Sequence, residues 1–134
     1  MATEKNLPAE NEQILKFVKD YETPFYLYDE KGIREGIRKL NKAFAWAPNF
    51  KEYFAVKACP IPQIIQIIKE EGCGTDCSSI AELVISEKIG VIGEDIMFTS
   101  NNTPVFEYQK AIDLGAVLNL DDFSHIDYVQ ENIG

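Results

Sequence analysis

Positive charge is scarce in this 134-residue chain: thirteen lysines and arginines stand against twenty-two acidic side chains, for a formal net charge of -9. So acidic a surface repels phosphate backbones and anionic lipid, and neither nucleic acid nor membrane is expected as a partner. Long apolar runs are missing as well. No stretch approaches the roughly 20 residues that a membrane helix needs, and "MATEKNLPAENEQ" lacks the apolar centre of a signal peptide, so a cytoplasmic protein is expected. Histidine occurs once, at His125, and cysteine three times, at Cys59, Cys73 and Cys77. An odd cysteine count with CxxxC spacing and one histidine fits no usual zinc pattern, so reduced thiols and no metal are expected. There is also no G-x-G-x-x-G and no G-x-x-x-x-G-K-[ST] run, which removes the main motif support for nucleotide binding.

What the chain does contain is a rhythm. Ala9 to Tyr21 reads as a short amphipathic helix, and "FYLY" at 25–28 as a strand. Ile33, Ile37, Leu40 and Phe44 then share one helical stripe that Pro48 and Asn49 end. Strand candidates follow at Tyr53 ("YFAV"), Gly74 ("GTDC"), Ile96 ("IMFT") and Val117 ("VLNL"), 21, 22 and 21 residues apart. Amphipathic helices fill the gaps, with Ile61, Ile64, Ile65 and Ile68 at i, i+3, i+4 and i+7. Thr103 is expected to cap the next helix with Pro104 at its first position, and Gly115 to supply the positive φ of its C-terminal turn. A last helix is expected over 123–132. Strands alternating with helices imply a parallel sheet, either open and doubly wound or closed into a barrel. A barrel of eight strands takes about 250 residues, so a barrel reading makes this chain about half of one, and length alone favours the flavodoxin-like alternative.

Chemistry collects where parallel strands end. Here those positions hold Lys57, then Asp76, Cys77 and Ser79, then Ser100, Asn101 and Asn102, then Asn119 and Asp121. On a strand of period two, Tyr53, Ala55 and Lys57 share a face, with Ala55 leaving room for a flat group below the ammonium. Apolar surroundings would pull a lysine below its ordinary pKa of about 10.4 and free its amine to attack a carbonyl. The alternative is a lysine that marks the strand end and reaches water. Asp76 reads either as an anion partner for that amine or as a charge favouring the dipole of the following helix. Ser79 and Glu82 have the spacing of a capping box. His125 reads as a surface or packing residue.

With these residues placed, the sequence resembles the N-terminal part of the pyridoxal-phosphate-dependent decarboxylases built on an alanine-racemase-like barrel, most closely diaminopimelate decarboxylase. The matching stretches are "TPFYLYDEKGIR", "YFAVKACP", "GCGTDCSSIAEL", "DIMFTSNNTP" and "GAVLNLDD", in the family's order, covering most of Thr23 to Asp122. One departure is Cys59, where many relatives have asparagine.

The resemblance implies a partial parallel (β/α) barrel, about the first half of a TIM-type (β/α)8 barrel, over residues 23–134, behind a leader and short helix over 1–22. It implies pyridoxal phosphate as cofactor, Lys57 as the lysine in Schiff-base linkage to it, and Asp76 close to it. It further implies a small amino-acid substrate, meso-diaminopimelate giving L-lysine and CO2, and a homodimer for the full-length enzyme. An ornithine- or arginine-type decarboxylase and a noncatalytic regulatory half-barrel are the alternatives. The family's ring-stacking histidine, pyridine-pairing glutamate and phosphate loop find no place in these 134 residues. The chain is therefore expected to be an N-terminal portion, inactive alone.

Overall fold

The computed structural model describes residues 9–134, so the first eight residues of the expected leader lie outside the described residues. Helix α1 spans Asn11–Asp20 and α2 Glu30–Ala43; then β1 (Tyr53–Ala55), α3 (Pro62–Glu70), β2 (Gly74–Cys77) and α4 (Ile80–Lys88) follow. The chain continues through β3 (Ile96–Phe98), α5 (Val105–Asp113), β4 (Val117–Leu118) and α6 (Ser124–Asn132). All four strands fall where the rhythm places them. The expected strand at 25–28 does not form: these residues are unpaired, with Tyr26 89% exposed, because no strand among the described residues runs beside them.

The sheet order is β1-β2-β3-β4, every pair parallel. This order decides between the two architectures. Each parallel crossover is right-handed, so strands added always on the same side put their helices on one face only, whereas a doubly wound sheet must reverse direction. The packing agrees. Val56, Cys77, Ile96 and Phe98 point to the helices and form one buried cluster with Ile65, Leu83, Tyr108 and Ala111. The opposite row, Ala55, Asp76, Met97 and Val117 in register, lies outside that cluster and has no helix over it among the described residues. A one-sided arc of four strands is a barrel segment.

Local chemistry fixes the helix ends. After α5 the Gly115 N–H donates to the Ile112 carbonyl at 2.8 Å and the Ala116 N–H to the Ala111 carbonyl at 2.9 Å, with Gly115 at φ +72°. That paired pattern satisfies the last carbonyls and requires a left-handed residue. The same two bonds recur after α3 and α4. Helix α5 begins one residue later than expected: Pro104 is the cap position, Val105 the first helical residue, and Thr103 makes no cap. The N–H of Glu107, the third helical residue, donates to the Pro104 carbonyl at 3.0 Å, which meets a donor that a hydroxyl cap would take.

Gly74 opens β2 although glycine is a weak strand former, and it is there for space. A Cβ on it would stand 2.5 Å from the Asp95 carbonyl oxygen and 2.6 Å from the Tyr53 ring. At the outer edge, Arg34 of α2 binds Glu70 at 2.7 Å and Glu71 at 3.0 Å, and Arg38 binds Glu71 at 2.7 Å, clasping α2 to α3. These guanidinium contacts hold both glutamates below the usual carboxylate range.

Candidate active site

The parallel register brings every expected strand-end residue to one edge of the sheet. Lys57 follows β1, Asp76 and Ser79 lie at the end of β2, Asn101 and Asn102 follow β3, and Asn119 and Asp121 follow β4. The ladder runs on past the strands, since the Thr99 N–H donates to the Cys77 carbonyl and the Asn119 N–H to the Phe98 carbonyl, both at 2.9 Å. Asn119 Nδ2 also donates to Thr99 Oγ1 at 3.1 Å, joining two of these ends through side chains.

Lys57 stands at this edge, though not on the strand. Residues Val56–Ala58 form a single 3-10 turn, closed by the Cys59 N–H donating to the Val56 carbonyl at 3.1 Å. Val56 is fully buried on the helix side, while Ala55, Lys57 and Ala58 are exposed. The expected apolar surroundings of the amine are therefore not supplied by the described residues, because the helix-free face of a four-strand arc stays open. Lys57 forms no ion pair with any described residue. A free primary amine at a strand-end edge is the result.

Asp76 is a strand residue, paired in register with Ala55 on one side and Met97 on the other. It lies four residues before α4, which sets aside the helix-dipole reading. Its Oδ1 is shielded from solvent and accepts no hydrogen bond. Burial first, and then the nearby Glu82 carboxylate, push the Asp76 carboxyl above its ordinary range. A carboxylate oxygen shielded in this way is unfavourable unless a cationic or N–H group meets it.

The β2–α4 junction is built differently from a simple capping box. Glu82 Oε2 accepts from the Ser78 N–H at 2.9 Å and Oε1 from the Ser79 hydroxyl at 3.0 Å, while the Ser79 side chain caps no N–H. The first N–H of α4, on Ile80, donates instead to Glu107 Oε1 of α5 at 2.9 Å. Nothing local in the sequence signals that partner, 27 residues away. Behind β2, Ser86 Oγ donates to Thr75 Oγ1 at 3.0 Å and lies 3.3 Å from Cys77 Sγ. Burial pushes the Cys73 and Cys77 thiols up, and none of the three cysteines is in a disulfide. Cys59 Sγ donates to the Tyr28 hydroxyl at 3.8 Å, linking the Lys57 turn to the segment before α2. His125, expected as a surface or packing residue, lines a cleft with Asn101, Asn102 and Thr103, where α6 meets the loop after β3.

A family model described as "Pyridoxal-dependent decarboxylase, pyridoxal binding domain" matches residues 30–134. The chain belongs to the pyridoxal-dependent decarboxylases. Within that family it is 48% identical over 109 residues to Protein TabA of Pseudomonas amygdali pv. tabaci, covering 81% of this chain and 26% of that protein. It is 35% identical over 108 residues to diaminopimelate decarboxylase of Methanothermobacter thermautotrophicus, covering 80% of this chain and 25% of that one. The chain thus spans about a quarter of these curated relatives' length. Among solved structures, lysine decarboxylase from Selenomonas ruminantium superposes with a TM-score of 0.83 at 22% identity, over 96% of this chain and 33% of that one. Diaminopimelate decarboxylase from Helicobacter pylori, complexed with L-lysine, superposes with a TM-score of 0.77 at 26% identity, over 88% and 30%. The arc of strands is the corresponding segment of their TIM barrels.

The cofactor of the pyridoxal-dependent decarboxylases is pyridoxal phosphate, and the matched segment is the domain that binds it. The residues present fit that group. An unpaired amine stands at the strand-end edge, a shielded carboxylate oxygen without a partner lies on the same helix-free face, and the small Ala55 side chain beside Asp76 leaves the space clear.

Proposed function

We propose that this chain is the N-terminal portion of a pyridoxal-phosphate-dependent amino-acid decarboxylase that converts meso-diaminopimelate to L-lysine and CO2, and that it is inactive alone. The observation that carries the reading is the unpartnered Asp76 oxygen on the helix-free face of the edge where Lys57 offers its amine. Lys57 is the residue whose side-chain amine would hold the cofactor. Pyridoxal phosphate, when bound, supplies the electron sink for the electron pair left by loss of CO2. Asp76 accepts a hydrogen bond from a cationic N–H, which returns its carboxyl toward the ionised form and holds positive charge at the site. Glu82 fixes the Ser78–Ser79 turn behind Asp76 and keeps negative charge close to it. The remaining barrel strands close over the face now open, exclude water from Lys57, and work in a homodimer.

The support for the diaminopimelate reading is the group of diaminopimelate decarboxylases among the curated relatives, at 27–35% identity. A second reading, a decarboxylase of the same family with another amino-acid substrate such as ornithine or arginine, is favoured by the higher identity to TabA and by Cys59 beside the Lys57 turn. The test is CO2 release from meso-diaminopimelate, ornithine, arginine and lysine by a full-length gene product containing this segment, with its Lys57→Ala variant as control. Preference for meso-diaminopimelate is expected, with no turnover by the 134-residue chain. Preference for ornithine or arginine selects the second reading, and no turnover with any of the four overturns both.

A further inference from the structure

The loop after β3 faces α6 across a cleft of about 200 Å3 lined by Asn101, Asn102, Thr103, Tyr108, His125 and Tyr128. Three of these residues carry a polar atom that is shielded from bulk solvent and makes no hydrogen bond within the described chain: Thr103 Oγ1, the Tyr108 hydroxyl and His125 Nδ1. Tyr108 is only 2% exposed, and its ring packs edge-on against Phe98. Buried polar atoms in folded proteins nearly always have a partner. Three without one, on residues around a single cleft, point to a guest.

The lining selects its chemistry. His125 Nδ1 lies 3.1 Å from Asp121 Oδ1 without hydrogen-bond geometry, and Asp122 is the next residue along the chain. An anion would meet these two carboxylates. A cation would find no carboxylate in the lining itself, which is asparagine, threonine, tyrosine and histidine. What remains is a set of hydroxyl, amide and imidazole groups suited to a neutral molecule that both donates and accepts. The volume is below that of ordinary ligand pockets, which hold about 300–1,000 Å3. It is ample for water, which occupies about 30 Å3 per molecule.

We infer that the inner end of this cleft is an ordered-water site, in which bound water bridges Thr103, Tyr108 and His125 and so ties the strand-end loop to α6. The consequence is positional. Asn101 and Asn102 stand at the functional edge because the far side of their loop is anchored through water to the last helix. This inference is independent of which substrate the protein takes.

Thermal unfolding of the full chain tests it through the sign of one effect. Tyr108→Phe removes only the phenol oxygen. If water bridges that oxygen, Tm falls, and Thr103→Val combined with it lowers Tm by less than the sum of the two single changes, since both break one bridge. If the oxygen is truly unpartnered, removing it raises Tm, and the inference is overturned. Strict additivity of the two changes overturns it as well. A high-resolution crystal structure of the chain provides a second reading that needs no variant. Water density within hydrogen-bonding distance of at least two of the three atoms supports the site, and density at none of them removes it.

Discussion

Replacing Glu82 by glutamine tests how the β2–α4 junction conditions Asp76. Glu82 is 9% exposed and its two oxygens accept from the Ser78 N–H and the Ser79 hydroxyl. Glutamine keeps the shape and one acceptor for the backbone N–H, and the Ser79 hydroxyl can turn to accept from the new amide. What is lost is the charge on the acceptor. Hydrogen bonds to charged groups contribute about 1.5–3 kcal/mol and neutral ones about 0.5–1.5, so two such bonds lose roughly 2 kcal/mol together. Relief of the repulsion on Asp76 offsets part of this, leaving an expected loss of about 1–2 kcal/mol in urea unfolding at neutral pH. Glu82→Ala, which strands the Ser78 N–H, is expected to lose about 3 kcal/mol. The second readout is the Asp76 carboxyl resonance. In Glu82→Gln its titration moves down toward the ordinary value of 3.8 without reaching it, because burial is the larger cause of the shift. An Asp76 titration that stays put or moves up, or a Glu82→Gln chain more stable than the parent, refutes the reasoning.

Three further outcomes follow from the same structure. Asp76 has a folded pKa above its unfolded one, so its contribution to stability is complete below pH 3.8 and is lost as pH rises through the raised value. Asp76→Asn is accordingly expected to raise Tm at pH 7 and not at pH 3, and equal effects at both would contradict the shift. Glu70 and Glu71 work in the opposite sense: their depressed values give stability above their ordinary 4.5 that is lost as pH falls through the folded values. Glu71→Gln should flatten the acid limb of a Tm-against-pH profile, and an unchanged limb would show that the Arg34 and Arg38 contacts do not act through it. Gly74→Ala forces a methyl against a backbone carbonyl that cannot step aside, with an expected loss of about 1–3 kcal/mol by urea unfolding; a neutral result would mean the β1–β2 edge is looser than the 2.5 Å approach implies.

The rhythm of apolar segments was enough to locate all four strands and their helices, because burial of one helix stripe and one sheet face leaves a direct mark on residue order. Gly115 was legible for a similar reason, since a positive φ at a helix end selects its residue. The sequence could not say which way successive strands add, and length pointed to the wrong architecture until the β1-β2-β3-β4 order appeared. "FYLY" has strand-like residues, yet a strand is a pairing, and these residues have none among the described residues. Lys57 was placed correctly at the edge and incorrectly on a strand, because the turn is formed by a Cys59–Val56 backbone bond that carries no side-chain signature. Glu107 capping α4, and the Arg34 and Arg38 clasp on α3, are contacts between distant segments and leave no periodic trace. Asp76 was identified by position alone; its missing partner became visible only in three dimensions.

The central claim is that Lys57 is the amine of this edge, and reductive trapping addresses it without any assumption about turnover. The chain, and a longer form containing it, are mixed with pyridoxal phosphate, reduced with borohydride, digested and mapped by mass spectrometry. The account predicts a pyridoxyl adduct concentrated on Lys57 in the longer form, abolished by Lys57→Ala and weaker in the 134-residue chain. Label spread evenly over the surface lysines of the longer form, or retained in full after Lys57→Ala, would contradict it.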